Sequence, residues 1–174
     1  KYDAIVLGVR TWNNRFDLRT NYARLLQYAS AGGTLVMQYN DTASFIFGRG
    51  DNRPEQNMGP LPFRVGRERV TVEEAPVKFL APDHALLQMP NRITAADFDG
   101  WVQERGLYFA GTWDPRYETP LAMNDPNEKP AKGGLLVARV GKGRFVYTGL
   151  AFFRQLPAGV PGAYRLFANL LDHG

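Results

Sequence analysis

The sequence predicts an α/β fold with a mainly parallel sheet, and three observations carry that reading. A continuous apolar run, Ala4-Ile5-Val6-Leu7, ends at Gly8, and a second run, Thr34 to Tyr39, begins after Gly32-Gly33. Between them lies a stripe of apolar residues with helical spacing. Strands covered on both faces are apolar throughout, and parallel neighbours need a crossover to join them, so strand, helix and strand in this order read as a βαβ unit. Near the other end, Leu135 to Val140 and Arg144 to Thr148 flank Gly141-Lys142-Gly143. That pattern predicts an antiparallel hairpin added to the sheet, with glycine supplying positive φ at the turn.

The elements follow in order. Ala4–Leu7 is expected as a buried parallel strand, followed by a polar loop, Arg10-Thr11-Trp12-Asn13-Asn14. Asp17 is placed as the N-cap of a helix whose buried stripe is Leu18, Tyr22, Leu25, Leu26 and Ala29. Gly32-Gly33 ends it, Thr34 to Tyr39 forms the second buried strand, and the crossover between the strands is expected to be right-handed. Between residues 40 and 62, the polar stretch from Gly48 to Pro54 is expected to be a long exposed loop, of a kind often functional. After Phe63 come short strands at Arg69–Val72 and Val77–Leu80, a helical turn within Ile93–Asp99, and strands at Leu107–Gly111 and Pro120–Met123. The hairpin leads to a final helix opened by Pro161, with Tyr164, Phe167, Leu170 and Leu171 as its buried stripe.

Composition narrows the function classes. With 174 residues the chain can bury one full core, and 44% hydrophobic against 22% charged is the balance of an ordinary globular domain. The net charge of +4 is spread along the chain, and no basic–aromatic repeat follows a strand, so nothing points to nucleic acid. The absence of cysteine excludes disulfides, thiolate metal sites and thiol catalysis, and is compatible with the cytoplasm or an oxidising compartment. No apolar run approaches the roughly 18 residues of a membrane-spanning helix.

Ligands of open α/β sheets bind beyond the carboxyl ends of the strands. The first strand delivers Arg10, Trp12 and Asn13 there, and the second delivers Gln38, Asn40 and Asp41. These residues form the polar rim of a site or else satisfy the loop backbone and cap the helix. The turn Met37-Gln38-Tyr39-Asn40 offers no side chain that a base could activate as a thiolate or alkoxide, and Ser44 lacks the G-x-S-x-G elbow, so nucleophilic catalysis is not expected. His84 and His173 are too few and too scattered for zinc, and His84 is expected in a surface or capping role.

Asp97 and Asp99 are oxygen donors that could meet Ca²⁺, but the run does not follow the EF-hand spacing. An acidic turn paired to Arg105 or Arg92 is the expected arrangement. Trp101, Tyr108 and Trp113 lie near Asp114 and Arg116, which reads either as an aromatic–acidic sugar site or as core. Arg49-Gly50-Asp51 matches an adhesion tripeptide short enough to recur by chance, Asn40-Asp41-Thr42 is a sequon, and Arg64, Arg67 and Arg69 form a basic patch.

Taken together, several stretches look familiar: Tyr2-Asp3-Ala4-Ile5-Val6-Leu7-Gly8-Val9-Arg10, Gly32-Gly33-Thr34-Leu35-Val36-Met37-Gln38-Tyr39-Asn40, Gly66-Arg67-Glu68-Arg69-Val70-Thr71, Ile93 to Phe109, and Tyr147 to Tyr164. They resemble the C-terminal region of the large bacterial PIG-L (LmbE-like) deacetylases, and the resemblance covers nearly the whole chain. The catalytic domain of that family is a zinc-dependent N-acetylglucosamine-type deacetylase with an Ala-His-Pro-Asp-Asp signature, which this chain lacks. The resemblance therefore implies a non-catalytic accessory domain that needs no cofactor of its own, with zinc confined to the deacetylase domain of the same parent chain. That deacetylase domain is the implied partner, with a glycan as a second; neither nucleic acid nor a membrane span is implied.

The accessory domain is similar to class I glutamine amidotransferases, which implies a flavodoxin-like three-layer sandwich over residues 1–174. Those enzymes carry a cysteine in the turn where this sequence has Gln38, Tyr39 and Asn40. The resemblance also implies that a strand and helix lie upstream of Lys1, which suits a chain opening inside a strand pattern. A purely structural or oligomerisation domain is the alternative. A hydrolase using Asp97, Asp99 or Glu104 is the second alternative.

Overall fold

A computed structural model describes residues 2–41 and 58–172. Along the chain run β1 (Ala4–Leu7), α1 (Thr11–Asn14), α2 (Phe16–Ser30), β2 (Thr34–Gln38), β3 (Phe63–Val65), β4 (Val77–Phe79), α3 (Ala85–Gln88), a 3-10 turn (Ala95–Phe98), β5 (Ala110–Trp113), β6 (Leu121–Met123), β7 (Leu135–Val140), β8 (Gly143–Thr148), α4 (Phe152–Gln155) and α5 (Pro161–Leu171). The central sheet has the order β1-β2-β8-β7. β1, β2 and β8 are parallel, and β7 is antiparallel to β8. Two antiparallel pairs, β3–β5 and β4–β6, stand beside it. The expected α/β fold with a mainly parallel sheet and added antiparallel strands is therefore present.

Strand alternation builds two cores, one on each face. Leu35 and Met37 of β2, Leu136 and Ala138 of β7, and Phe145 and Tyr147 of β8 join Tyr22 and Ala29 of α2 and Phe63 of β3 on one face. Val36, Leu135, Val137 and Val146 point the other way, against Leu166 and Leu170 of α5, Phe98 and Leu121. α2 and α5 thus lie on opposite faces of one sheet, each burying an apolar stripe.

Several expectations are corrected by packing. β1 is parallel as expected but half-covered: among the described residues it is an edge strand, and Val6 is 37% exposed. Asp17 does not cap α2. The helix follows α1 after a single residue, so Arg15 stands at the N-cap and Asp17 sits in the first turn, 2.6 Å from the Arg15 guanidinium. Arg69–Val72 is no strand; only Val70 bridges, to Gly106. The N–H groups of Thr71 and Val72 donate instead to the buried Asp125 carboxylate, at 2.8 and 2.9 Å, and so leave no ladder to form.

The strand expected at Leu107–Gly111 starts later, at Ala110, because Tyr108 adopts a φ of 51° that extended pairing does not tolerate. The hairpin turn is shorter than expected: Val140 pairs with Gly143, and Gly141 takes a φ of 56°. In α5, Tyr164 is 51% exposed and the buried stripe is Ala163, Leu166, Asn169 and Leu170. Gly162 sets that rotation, since a Cβ there would lie 2.0 Å from the Asp97 carbonyl oxygen. The Gly48–Pro54 loop, Ser44, Arg49-Gly50-Asp51, Thr42 of the sequon and His173 lie outside the described residues. Among the described residues no helix is long and apolar enough to cross a membrane.

The Asp125 clamp gives a pH signature. Burial alone would raise its carboxyl, but bonds from the Val72 and Thr71 N–H groups and the Thr71 hydroxyl, with Arg69 nearby, together hold it below its ordinary value. A depressed carboxyl adds stability that is present above the unfolded-state value and lost as pH falls through the folded one. Asp125→Asn is expected to lower unfolding free energy by about 2 kcal/mol at neutral pH. Urea unfolding should show that gap closing below roughly pH 4; a gap that stays constant down to pH 2 contradicts the assignment.

Candidate functional site

Parallel pairing sets Leu7 beside Met37, so the chains leaving β1 and β2 emerge together. Their rim residues then bond to one another. The Arg10 N–H donates to the Tyr39 carbonyl at 2.8 Å. Asn40 is fully buried; its Oδ1 accepts from the N–H groups of Trp12 (2.9 Å) and Asn13 (3.4 Å), and its Nδ2 donates to the Gln38 carbonyl at 3.1 Å. Asn13 Nδ2 donates to the Asp41 carbonyl at 3.3 Å, while the Asp41 N–H donates to Asn13 Oδ1 at 2.9 Å. The free N–H groups at the start of α1 are thus satisfied from the neighbouring strand end rather than by a local cap.

Arg10, Trp12, Asn13, Gln38 and Asn40 are brought together as the sequence implied, but most are occupied in holding the loops. Trp12 is 8% exposed and packs edge-on against Tyr22, with centroids 4.8 Å apart. Gln38 Oε1 is buried without a hydrogen-bond partner among the described residues. Arg10 is the exposed member, with Nε 3.4 Å from the Asp41 carboxylate.

Beside this lock stands a cluster the sequence did not assemble. The Tyr39 ring lies 5.2 Å from that of Tyr108 and 5.4 Å from that of Phe153. The Arg10 guanidinium stands 5.9 Å from the Tyr108 ring, and that of Arg154 stands 4.9 Å from Phe153. Arg154 Nε donates to the buried Glu104 carboxylate at 2.6 Å. The Tyr147 hydroxyl donates to the Tyr108 carbonyl at 2.6 Å and fixes that bend from below. Arg10 and Tyr108 both hold left-handed backbone, φ 56° and 51°, at roughly 1 kcal/mol or more each for non-glycine residues. Burial raises the Tyr39 phenol above its ordinary value, so it stays protonated at neutral pH.

The expected aromatic–acidic segment is divided. Trp101 is 2% exposed and belongs to the α5-side core, stacked obliquely on Phe98 at 5.3 Å, with Nε1 donating to the Asp97 carbonyl at 3.0 Å. Trp113 is half-buried and packs on the α2 side. The two tryptophans therefore serve opposite faces of the sheet. Asp114 forms a paired contact with Arg116, 2.9 Å to both Nε and Nη2, and the Arg116 side chain holds its carboxyl down to about 2.

Asp97 closes a capping box with Thr94, and its carboxylate takes Arg165 Nε at 2.7 Å rather than Arg105 or Arg92. Arg105 turns inward, donating to the Ala75 and Phe98 carbonyls, because its own segment is buried between Val70 and the α4 N-terminus. Asp99 is exposed at the end of the 3-10 turn. His84 caps α3, its Nδ1 accepting from the Leu86 N–H at 3.1 Å. Among the described residues no three His, Asp or Glu side chains converge as a metal-binding group.

A concave feature lies along the sheet edge. A groove of about 540 Å³ runs between β1 and α2, lined by Ile5, Leu7, Leu18, Leu25, Tyr28 and Arg24 among others. None of the rim or aromatic–acidic candidates lines it.

No family model matches the chain, and no curated protein does. Among solved structures, the cytoplasmic protein STM3548 from Salmonella typhimurium is similar over 98% of this chain and 70% of its own, with 17% identity and a TM-score of 0.57. The cytoplasmic protein STM1381 from Salmonella typhimurium LT2 is similar over 98% of this chain and 71% of its own, at 17% identity and a TM-score of 0.53. A β-galactosidase from Rahnella sp. R3 aligns with 97% of this chain over 23% of its own, at 14% identity and a TM-score of 0.46. At such identities the likeness to the two Salmonella proteins concerns fold alone.

The lock at the strand ends is testable. Asn40→Ala leaves two N–H groups and one carbonyl without their partner. It is expected to lower stability by about 2–3 kcal/mol, read by denaturant unfolding. A change below about 0.5 kcal/mol, the usual scatter of a neutral substitution, contradicts the lock.

Proposed function

We propose that this chain is a non-catalytic accessory domain, amidotransferase-like and flavodoxin-like in architecture, serving a zinc-dependent PIG-L (LmbE-like) deacetylase. Its role is to hold a glycan near the deacetylase domain or to position that domain. One observation carries the reading: the turn after β2, where an amidotransferase nucleophile would stand, is occupied by the Asn13–Asn40–Asp41 lock. A side chain that caps α1 from a fully buried position is not available to attack a substrate. The parallel β1-β2-β8 order with helices on both faces supports the finer fold assignment. Zinc, in this reading, belongs to the deacetylase domain.

The hydrolase reading draws less support. Asp97 and Glu104 are each ion-paired, to Arg165 and Arg154, which disfavours either as a free general base. The structural reading has one observation in its favour. β1 is paired on one side only among the described residues, and beside it lie the apolar groove and the exposed Tyr2 and Phe16. Such a surface suits the positioning role as well.

Two assays test the proposal. The isolated chain is expected to turn over neither glutamine, acetyl esters nor N-acetylglucosaminides. Deleting it from the parent protein is expected to reduce deacetylation of polymeric substrate about tenfold while leaving monomeric substrate unaffected, the pattern of lost remote binding. Turnover by the isolated chain, or equal rates on both substrates after deletion, overturns it.

A further inference from the structure

We infer that the outer edge of β1 and the groove beside it form a docking surface for an extended segment of another protein, one that alternates apolar side chains toward α2 and carries a carboxylate. The inference goes beyond the accessory-domain reading and does not rest on it.

The backbone is the first observation. In the parallel register Ala4 stands beside Thr34, and the Thr34 N–H donates to the Asp3 carbonyl at 3.0 Å. Alternation then commits Asp3, Ile5 and Leu7 to β2 and turns the N–H and carbonyl groups of Ala4 and Val6 outward. No strand lies on that side among the described residues. The edge Ala4-Ile5-Val6-Leu7 carries neither a charge nor a proline, and Val6 is exposed. An edge without such guards is a template for one more strand.

The groove is the second. α2 packs chiefly over β2, β8 and β7, so β1 carries the sheet out past the helix. Ile5 and Leu7 point to the α2 side and form the floor of the resulting space of about 540 Å³, with Leu18, Leu25 and Tyr28 as its wall. The Tyr28 hydroxyl donates to the carbonyl of Tyr2, and Phe16 sits between the lining residues Arg15 and Asp17. Tyr2 and Phe16 are 76% and 70% exposed, so apolar surface continues beyond the groove at both ends. A strand edge flanked by such a groove is how sheets take up extended peptides: main-chain bonds hold the segment, and alternate side chains enter the pocket.

Charge completes the description of the occupant. Arg15 is held to Asp17 at 2.6 Å, so that pair is balanced. Arg24 lines the same groove and makes no hydrogen bond or ion pair among the described residues. The groove therefore favours a segment that brings a carboxylate to Arg24. A second copy of the chain fits less well. Pairing β1 with β1 joins four residues from each chain, against the roughly 20–30 residues a side of a stable interface.

The probe is a blocked heptapeptide, Glu-Thr-Leu-Thr-Leu-Thr-Glu, whose leucines and glutamates share one face whichever way the strand runs; its control has lysine in place of glutamate. Amide NMR of the chain with the acidic peptide is expected to shift Ala4, Val6, Leu18 and Leu25 and to slow hydrogen exchange at Ala4 and Val6. The lysine peptide should bind about two- to fivefold more weakly, the scale of an exposed ion pair. Arg24→Glu should reverse that order. Val6→Pro deletes an N–H that β2 does not use, so it should abolish binding. Arg24 is exposed, and Arg24→Glu keeps the test valid where Val6→Pro misfolds. Unmoved amides with both peptides, shifts that spare Ala4 and Val6, or an unchanged peptide order in Arg24→Glu each overturn the docking surface. Protection of Ala4 and Val6 that rises with protein concentration in the absence of peptide assigns the edge to a second copy and overturns it as well.

Discussion

The parallel pairing of β2 between β1 and β8 is the constraint from which the rest of the structure follows. It fixes Met37 against Leu7 and Gln38 against Thr148, so three chain segments leave the sheet at one end. It also fixes the two faces. Leu35 and Met37 are committed to the α2 side and Val36 to the α5 side, and a slip of one residue would exchange them. Both cores, and the position of every loop at the carboxyl end, depend on that register.

The crowding of those loops explains their polar residues. Segments leaving adjacent strands bring backbone N–H and carbonyl groups out of the ladder at the same depth, and such groups must find partners. Asn13 and Asn40 supply them with uncharged amides that donate and accept at once, so the lock forms without burying an ion. Around the lock, Tyr39, Tyr108 and Phe153 fill the remaining space, and the arginines at its edge are each set against a carboxylate. The end of the sheet is therefore polar and aromatic while carrying almost no net charge from these pairs.

Much of this frame was legible in the sequence, and the losses have specific causes. Apolar runs and glycine stops located β1, β2, α2, the β7–β8 hairpin and α5, because periodicity and turn chemistry act locally. Arg69–Val72 misled because a β-branched run reads as a strand wherever its N–H groups go, and here they go to Asp125, more than fifty residues away in sequence. The α5 stripe was rotated because its buried face is set by the contact of Gly162 with Asp97, which no helical period encodes. The rim residues Arg10, Asn13 and Asn40 were found because each follows its strand directly. Tyr39, Phe153 and Arg154 were not joined to them, since that step needs β8 to lie parallel beside β2, and hydrophobic pattern does not fix strand order. Trp101 and Trp113, close in sequence, were grouped by proximity alone and fall on opposite faces.

Position 40 shows how structure and chemistry compete for one side chain. Its Oδ1 caps two N–H groups of α1 while its Nδ2 holds the Gln38 carbonyl. Serine at this place would lack the planar amide that reaches both sides, and cysteine would bring only a weak donor and acceptor. Either would free a nucleophile only by releasing the start of α1, with Trp12 and its contact on Tyr22 behind it. The neighbouring rings bear on the fold through packing instead, since Tyr39 lies in the α2-side core with Tyr108 and Phe153 packed against it. The two halves of the rim therefore hold the loops by different means, hydrogen bonds through Asn13 and Asn40 and ring packing at Tyr39.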